Sequence, residues 1–236
     1  MKEIIAENLK IVWEKIAAAA EKSGRSPENI KLVAVTKTHS PEKVDLALKN
    51  GVKFIGENRV QEAEKKLPLL KEKYEEFHFI GHLQTNKISK LMKLNPVLIH
   101  SIERFSTAKK LNEFLQKENR LQNILIEVNN SAEESKFGVA PSETIDFVKQ
   151  VAEFSHLKIL GLMTVGMFTQ EEQIIRKCFR TLKTLFEKIK EENIRNVEMK
   201  YLSMGMSNDF EIAIEEGANI IRLGTAIFGT REHWEK

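Results

Sequence analysis

The strongest constraint in this chain is an alternation of short apolar runs with amphipathic stretches, repeated eight times. The runs at 30–35, 52–57, 77–81, 97–102, 124–128, 157–163, 199–202 and 219–223 read as strands. Between them, 41–50, 58–73, 85–93, 104–118, 141–154, 170–192 and 207–216 carry helical periodicity. Several strands are nearly continuous in apolar residues, as expected when both faces of a parallel sheet are covered. Eight strand–helix units in 236 residues match a closed (β/α)8 barrel. An open doubly wound sheet alternates in the same way and stays the alternative on pattern alone.

Punctuation supports these boundaries. Ser40-Pro41 has the form of an N-cap followed by proline at the first helical position, and Asn50-Gly51 suits a C-terminal cap. Residues 2–22 form one more amphipathic pattern, with Ile5, Leu9, Val12, Ile16 and Ala20 on a single stripe. This extra N-terminal helix is expected to pack on the barrel, over its bottom or against another subunit. Ile175, Cys178, Leu182, Leu185 and Ile189 make the apolar face of 170–192. No linker or low-complexity tract interrupts the pattern, so 1–236 reads as one domain.

Composition narrows the functional classes. Lys plus Arg (37) against Asp plus Glu (34) gives a net charge of +3, which argues against a dedicated nucleic-acid or membrane-surface protein. Charges run throughout 1–22, and the apolar stretch 16–20 is far too short to span a bilayer. A cytoplasmic protein is expected. The lone Cys178 excludes an intramolecular disulfide and reads as a core residue. His39, His78, His82 and His100 fall near strands without ligand spacing, so no metal site is expected.

In a barrel, chemistry sits at the C-terminal ends of the strands. Those ends bring together Lys37, Asn58, Arg59, His82, Met163 and Thr164, the loop Ser203-Met204-Gly205-Met206-Ser207, and Arg222-Leu223-Gly224-Thr225. Loops after strands seven and eight often hold a phosphate. Gly205 permits close backbone approach, Ser207 or Asn208 would begin the next helix, and Arg222 adds a fixed charge. Taken singly, Ser207 also reads as a plain N-cap and Arg222 as the partner of a carboxylate. Two such loops on consecutive strands favour a phosphate site.

Lys37 directly follows the apolar run Leu32-Val33-Ala34-Val35. Partial burial there disfavours the ammonium, and a neutral amine forms an imine with an aldehyde. A phosphate cradle and a reactive lysine in one mouth are what pyridoxal 5′-phosphate (PLP) requires. A solvated surface lysine is the plain alternative. Lys136, in a polar loop after strand five, reads by default as a surface lysine within reach of the same mouth.

Six segments, in order, carry a family resemblance: LVAVTKTHS (32–40), FIGENRVQE (54–62), FHFIGHLQTNK (77–87), ESKFGV (134–139), GLMT (161–164) and LSMGMSNDFEIAIEEGANIIRLGTAIFG (202–229). They resemble the YggS/PROSC family of PLP homeostasis proteins. The resemblance implies a single TIM barrel like the N-terminal domain of alanine racemase. It further implies PLP held as an aldimine by Lys37, with Ser207, Arg222, Gly224 and Thr225 on the phosphate side. Asn58 and Met163 become ring-side contacts, and Met206 contributes backbone. No group is assigned to the pyridine nitrogen.

The family reading is of a protein that holds, buffers or delivers PLP, with PLP-dependent apo-enzymes as recipients, as a monomer or weak homo-oligomer. Alanine-racemase-like enzymes add a second domain that supplies a second base, and this sequence ends seven residues after Gly229. Tyr74 falls before strand three and Tyr201 within strand seven, so neither is an obvious base. Efficient catalysis is therefore not expected. The alternatives are a weak amino-acid racemase or other PLP enzyme of this fold, and a barrel that binds a sugar phosphate without imine chemistry.

Overall fold

A computed structural model describes residues 2–130, 137–166 and 169–229. Its strands are β1 (Lys31–Val35), β2 (Phe54–Glu57), β3 (Glu76–Phe79), β4 (Leu98–Ile102), β5 (Gln122–Glu127), β6 (Leu157–Met163), β7 (Val197–Ser203) and β8 (Ile220–Leu223). All pair in parallel and in sequence order, and β8 closes on β1 with Val33 opposite Arg222. The closed barrel expected from the alternation is therefore the observed one, and the open sheet is not.

The helices are α1 (Lys2–Lys22), α2 (Pro41–Lys49), α3 (Val60–Lys66), α4 (Ile88–Lys93), α5 (Phe105–Lys117), α6 (Thr144–Ala152), α7 (Glu172–Glu191), α8 (Phe210–Glu215) and α9 (Thr225–Phe228). Differences from expectation have local causes. The helix read at 58–73 stops at Lys66, because Pro68 lacks the N–H that would extend the ladder and sits in a 3-10 turn, Leu67–Leu69. Ser40 occupies the N-cap of α2 but makes no capping bond from its side chain. Gly51 has φ +93°, the left-handed conformation expected after a helix end.

Two sets of apolar side chains follow from strand alternation. In β1, Leu32 and Ala34 join the large layer between sheet and helices, whereas Val33 belongs to a small inner cluster. That cluster adds Leu98, Leu125, Leu160, Met163 and Ile220, and it occupies part of the barrel interior. On α1, the stripe Ile5, Leu9, Val12, Ile16 and Ala20 is buried, each large member contributing about 1.5–3 kcal/mol over exposure.

That stripe does not lie over the bottom of the barrel. It packs on the flank, against α8, α9 and α2. Asn8 donates to the Ile227 carbonyl at 3.0 Å, and Lys15 pairs with Glu211 at 2.7 Å. The reason is geometric: among the described residues only the four-residue α9 follows β8, so α1 fills the place in the outer ring that a full eighth helix would take. Among the described residues, no helix is long and apolar enough to cross a membrane.

Candidate functional site

Lys37 stands two residues beyond β1 and is half-buried at the C-terminal mouth of the barrel. Thr38 after it has φ +65°, an unusual conformation for a β-branched residue. A buried charge cluster grips the chain on both sides of this lysine. Fully buried Lys66 donates from Nζ to the Thr36 carbonyl (2.6 Å), Glu57 Oε1 (2.8 Å) and Glu62 Oε1 (2.7 Å). Glu62 Oε1 also accepts the Thr38 N–H at 2.5 Å, and the Thr36 hydroxyl donates to Glu57 Oε1 at 2.6 Å. Burial pushes the Glu57 carboxyl above its ordinary range while Lys66 pulls it back. Sequence reasoning did not single out Glu62 or Lys66; their i,i+4 spacing was the available clue.

Asn58 follows β2, half-buried, with its Oδ1 buried and lacking a hydrogen-bond partner. Its carbonyl lies against Gly81, where an added Cβ would sit 2.1 Å from the Asn58 oxygen. The loops after β2 and β3 thus pack backbone to backbone, which only glycine allows. Beside them lies a recess of about 180 Å³ that includes Arg59, His82, Gln84 and Lys87 in its wall. His82 stacks on Phe137 with centroids 4.4 Å apart. At the end of β6, Met163 is buried in the inner cluster, and its carbonyl accepts the Val128 N–H at 2.8 Å.

Across the mouth, the loop after β7 folds onto α8. Gly205 has φ +93°, and its Cα lies so close to Ala213 that a Cβ would fall 2.6 Å from the alanine methyl. The close approach expected at Gly205 is therefore to α8. The Met206 N–H donates to Asp209 Oδ1 at 2.6 Å, so the backbone donor expected of Met206 is engaged within its own loop. Helix α8 begins at Phe210 with Asp209 at the N-cap position, not at Ser207 or Asn208. Ser207 is turned to β8 instead: its Oγ accepts the N–H groups of Gly224 (3.3 Å) and Ala226 (3.1 Å). Thr225 is exposed beside them.

Arg222 does not join this cluster. Ile221 and Leu223 belong to the layer facing the helices, so alternation directs Arg222 into the barrel. There NH1 donates to Ser203 Oγ at 2.6 Å and NH2 to the Thr164 carbonyl at 2.8 Å. The guanidinium thus lies beneath the mouth rather than beside Ser207. Burial lowers its pKa to about 10, which leaves it cationic at neutral pH.

Two buried carboxylates that the sequence had not marked face this cation. Burial and then Glu103 push Glu127, at the end of β5, up to about 7, and burial raises Asp209. Lys136 lies outside the described residues.

The mouth therefore offers a primary amine at a strand end and an unpartnered amide oxygen. It adds a hydroxyl converging with two backbone N–H groups, and a buried cation below. This donor set fits a phosphorylated aldehyde whose ring carries polar substituents.

Comparison with known proteins identifies the family. Residues 8–232 match the family model for the alanine racemase N-terminal domain. A pyridoxal phosphate homeostasis protein of Aquifex aeolicus is 43% identical over 96% of this chain and 98% of its own length. One from Escherichia coli strain K12 is 38% identical over 98% and 99%. Among solved structures, PipY of Synechococcus elongatus with PLP bound superposes with a TM-score of 0.80 at 28% identity, covering 95% of this chain and 100% of PipY. Clostridium difficile alanine racemase shares the fold, with a TM-score of 0.75 at 16% identity over 99% of this chain and 58% of the racemase. On barrel, strand-end motifs and relatives together, the chain belongs to the family of pyridoxal phosphate homeostasis proteins built on the alanine racemase N-terminal domain.

Proposed function

We propose that this protein binds PLP at the barrel mouth and serves its homeostasis, holding, buffering and delivering the cofactor rather than catalysing with it. The observation that carries the reading is the convergence of Ser207 Oγ with the Gly224 and Ala226 N–H groups at the end of β8, the strand paired with the β1 that carries half-buried Lys37. PLP supplies an electrophilic aldehyde on an electron-withdrawing ring. Lys37 Nζ holds that aldehyde covalently as an imine, and Ser207, Gly224 and Thr225 take the phosphate. Asn58 and Met163 contact the ring, while Arg222 lies beneath it as a fixed cation. Relatives named for PLP homeostasis, and the PLP-bound PipY structure, support this assignment.

A carrier role follows from what the mouth offers. Tyr201 is packed near the opposite end, with Lys31 Nζ 5.7 Å from its ring centroid. Tyr74 precedes β3 and packs against the core. Among the described residues, then, neither tyrosine stands where a second base would act. The same reading includes a cytoplasmic setting and apo-enzymes as recipients of the cofactor.

A weak amino-acid racemase is the second reading, and one observation favours it: Glu127 titrates near neutrality next to the mouth. Solvent-deuterium exchange at Cα of a panel of amino acids separates the two. The PLP-loaded carrier exchanges no faster than free PLP, whereas exchange well above that background overturns the carrier role.

A further inference from the structure

A continuous column of polar side chains runs up the barrel interior. Lys31, the first residue of β1, meets Glu76, the first residue of β3, at 2.5 Å. The other carboxylate oxygen of Glu76 lies 2.8 Å from His78 Nε2. His78 Nδ1 lies 2.8 Å from His100 Nε2, and His100 Nδ1 lies 2.9 Å from Ser203 Oγ. Ser203 in turn accepts the Arg222 NH1 donor at 2.6 Å. His78, His100, Ser203 and Arg222 are all buried. A barrel interior is ordinarily filled with branched apolar side chains, so a buried polar column there calls for a cause.

Donor and acceptor rules give the column a single direction. A carboxylate only accepts, so His78 Nε2 must carry a hydrogen. Burial disfavours the charged form of both imidazoles, and His100 is pushed well below its ordinary value. A neutral His78 then presents a bare Nδ1, which requires a hydrogen on His100 Nε2. His100 Nδ1 is left bare and takes the Ser203 hydroxyl hydrogen. The lone pairs of Ser203 remain for Arg222. Every step points its hydrogen toward Glu76 and its acceptor end toward Arg222.

We propose that Glu76, His78, His100 and Ser203 are positioning residues that hold the Arg222 guanidinium in one orientation beneath the cofactor. The aligned chain relays the anionic character of Glu76, at the floor of the barrel, to a cation buried beneath its mouth. The Thr164 carbonyl fixes the second guanidinium nitrogen. Other charged groups facing Arg222 are Glu127 from β5 and Asp209 from the loop after β7, and Lys31 faces the lower end. The consequence for the cofactor rests on the PLP-binding reading above; the hydrogen-bond chain itself does not.

Two measurements on the full chain separate those levels. In the PLP-free protein, nitrogen-15 NMR should show His78 and His100 neutral and protonated on Nε2 across the range where a free imidazole titrates. The Arg222 guanidinium should give slowly exchanging resonances that are lost in Ser203→Ala and retained in Ser203→Thr. An Nδ1–H tautomer at either histidine, or Arg222 resonances unchanged in Ser203→Ala, overturns the relay whether or not PLP binds.

With PLP, Ser203→Ala and Glu76→Gln should weaken binding by about tenfold or more. They should also shift the visible band of the bound cofactor, and Ser203→Thr should restore both properties. Wild-type affinity and spectrum in both disrupted variants, each shown folded by circular dichroism, contradict the positioning role. A wild-type chain that does not bind PLP defeats the functional reading and leaves the relay to be decided by NMR.

Discussion

Lys66 Nζ lies 2.6 Å from the carbonyl oxygen of Thr36, the residue immediately before Lys37. The same ammonium holds Glu62, which accepts the N–H of Thr38 immediately after it. The backbone that presents Lys37 is thus fastened on both sides by one buried charge cluster. Lys66→Met leaves Glu57 and Glu62 without their cation and should destabilise the protein by about 3–5 kcal/mol. Urea unfolding of the PLP-free protein measures this, and a loss under about 1 kcal/mol would show that the cluster holds little.

Glu127 gives stability a defined pH dependence. Its carboxyl is raised from 4.5 to about 7 in the folded state. The folded protein therefore binds the proton more tightly than the unfolded chain, and stability falls as pH rises from about 4.5 to about 7. One pKa unit corresponds to about 1.4 kcal/mol, so the effect is on the order of 3 kcal/mol. Glu127→Gln should flatten that part of the melting-temperature profile, and an unchanged slope would mean that Glu127 titrates normally.

Gly81→Ala forces a methyl group to within 2.1 Å of the Asn58 carbonyl oxygen. The neighbour is backbone and cannot rotate away, so the loops after β2 and β3 must separate. A loss of about 1–3 kcal/mol is expected, together with weaker PLP binding because Asn58 moves. Thermal melts and PLP titration test the two effects, and full stability in Gly81→Ala would contradict the close backbone packing.

Ser207→Ala removes the hydroxyl on which the Gly224 and Ala226 N–H groups converge. Loss of a hydrogen bond to a charged group costs about 1.5–3 kcal/mol, so PLP affinity should fall by about tenfold to a hundredfold. Titration followed in the visible band reads the change. Unaltered affinity would move the phosphate away from this cluster.

Much of this was legible in the sequence, and what was hidden has identifiable causes. Strand β6 is legible at its observed bounds, because its apolar run is long and is followed by a polar residue, Thr164. The α1 stripe was plain from its spacing, but its place on the flank depended on the shortness of α9. The direction of Arg222 could not be read, because both faces of a barrel strand are buried and its neighbours Ile221 and Leu223 are apolar either way. Lys66 was hidden among the lysines of α3, where a buried lysine and a solvated one look alike. Glu76, His78, His100 and Ser203 are scattered over three strands, and only closure of the barrel brings them into one column.

Borohydride reduction of the PLP-loaded protein, followed by peptide mapping, tests the central claim most directly. The account predicts a visible band that reduction bleaches, leaving a pyridoxyl group on Lys37, and Lys37→Ala should fold yet acquire no such label at that site. A label carried mainly by another lysine, or a protein that stays colourless and unmodified in excess PLP, would contradict it.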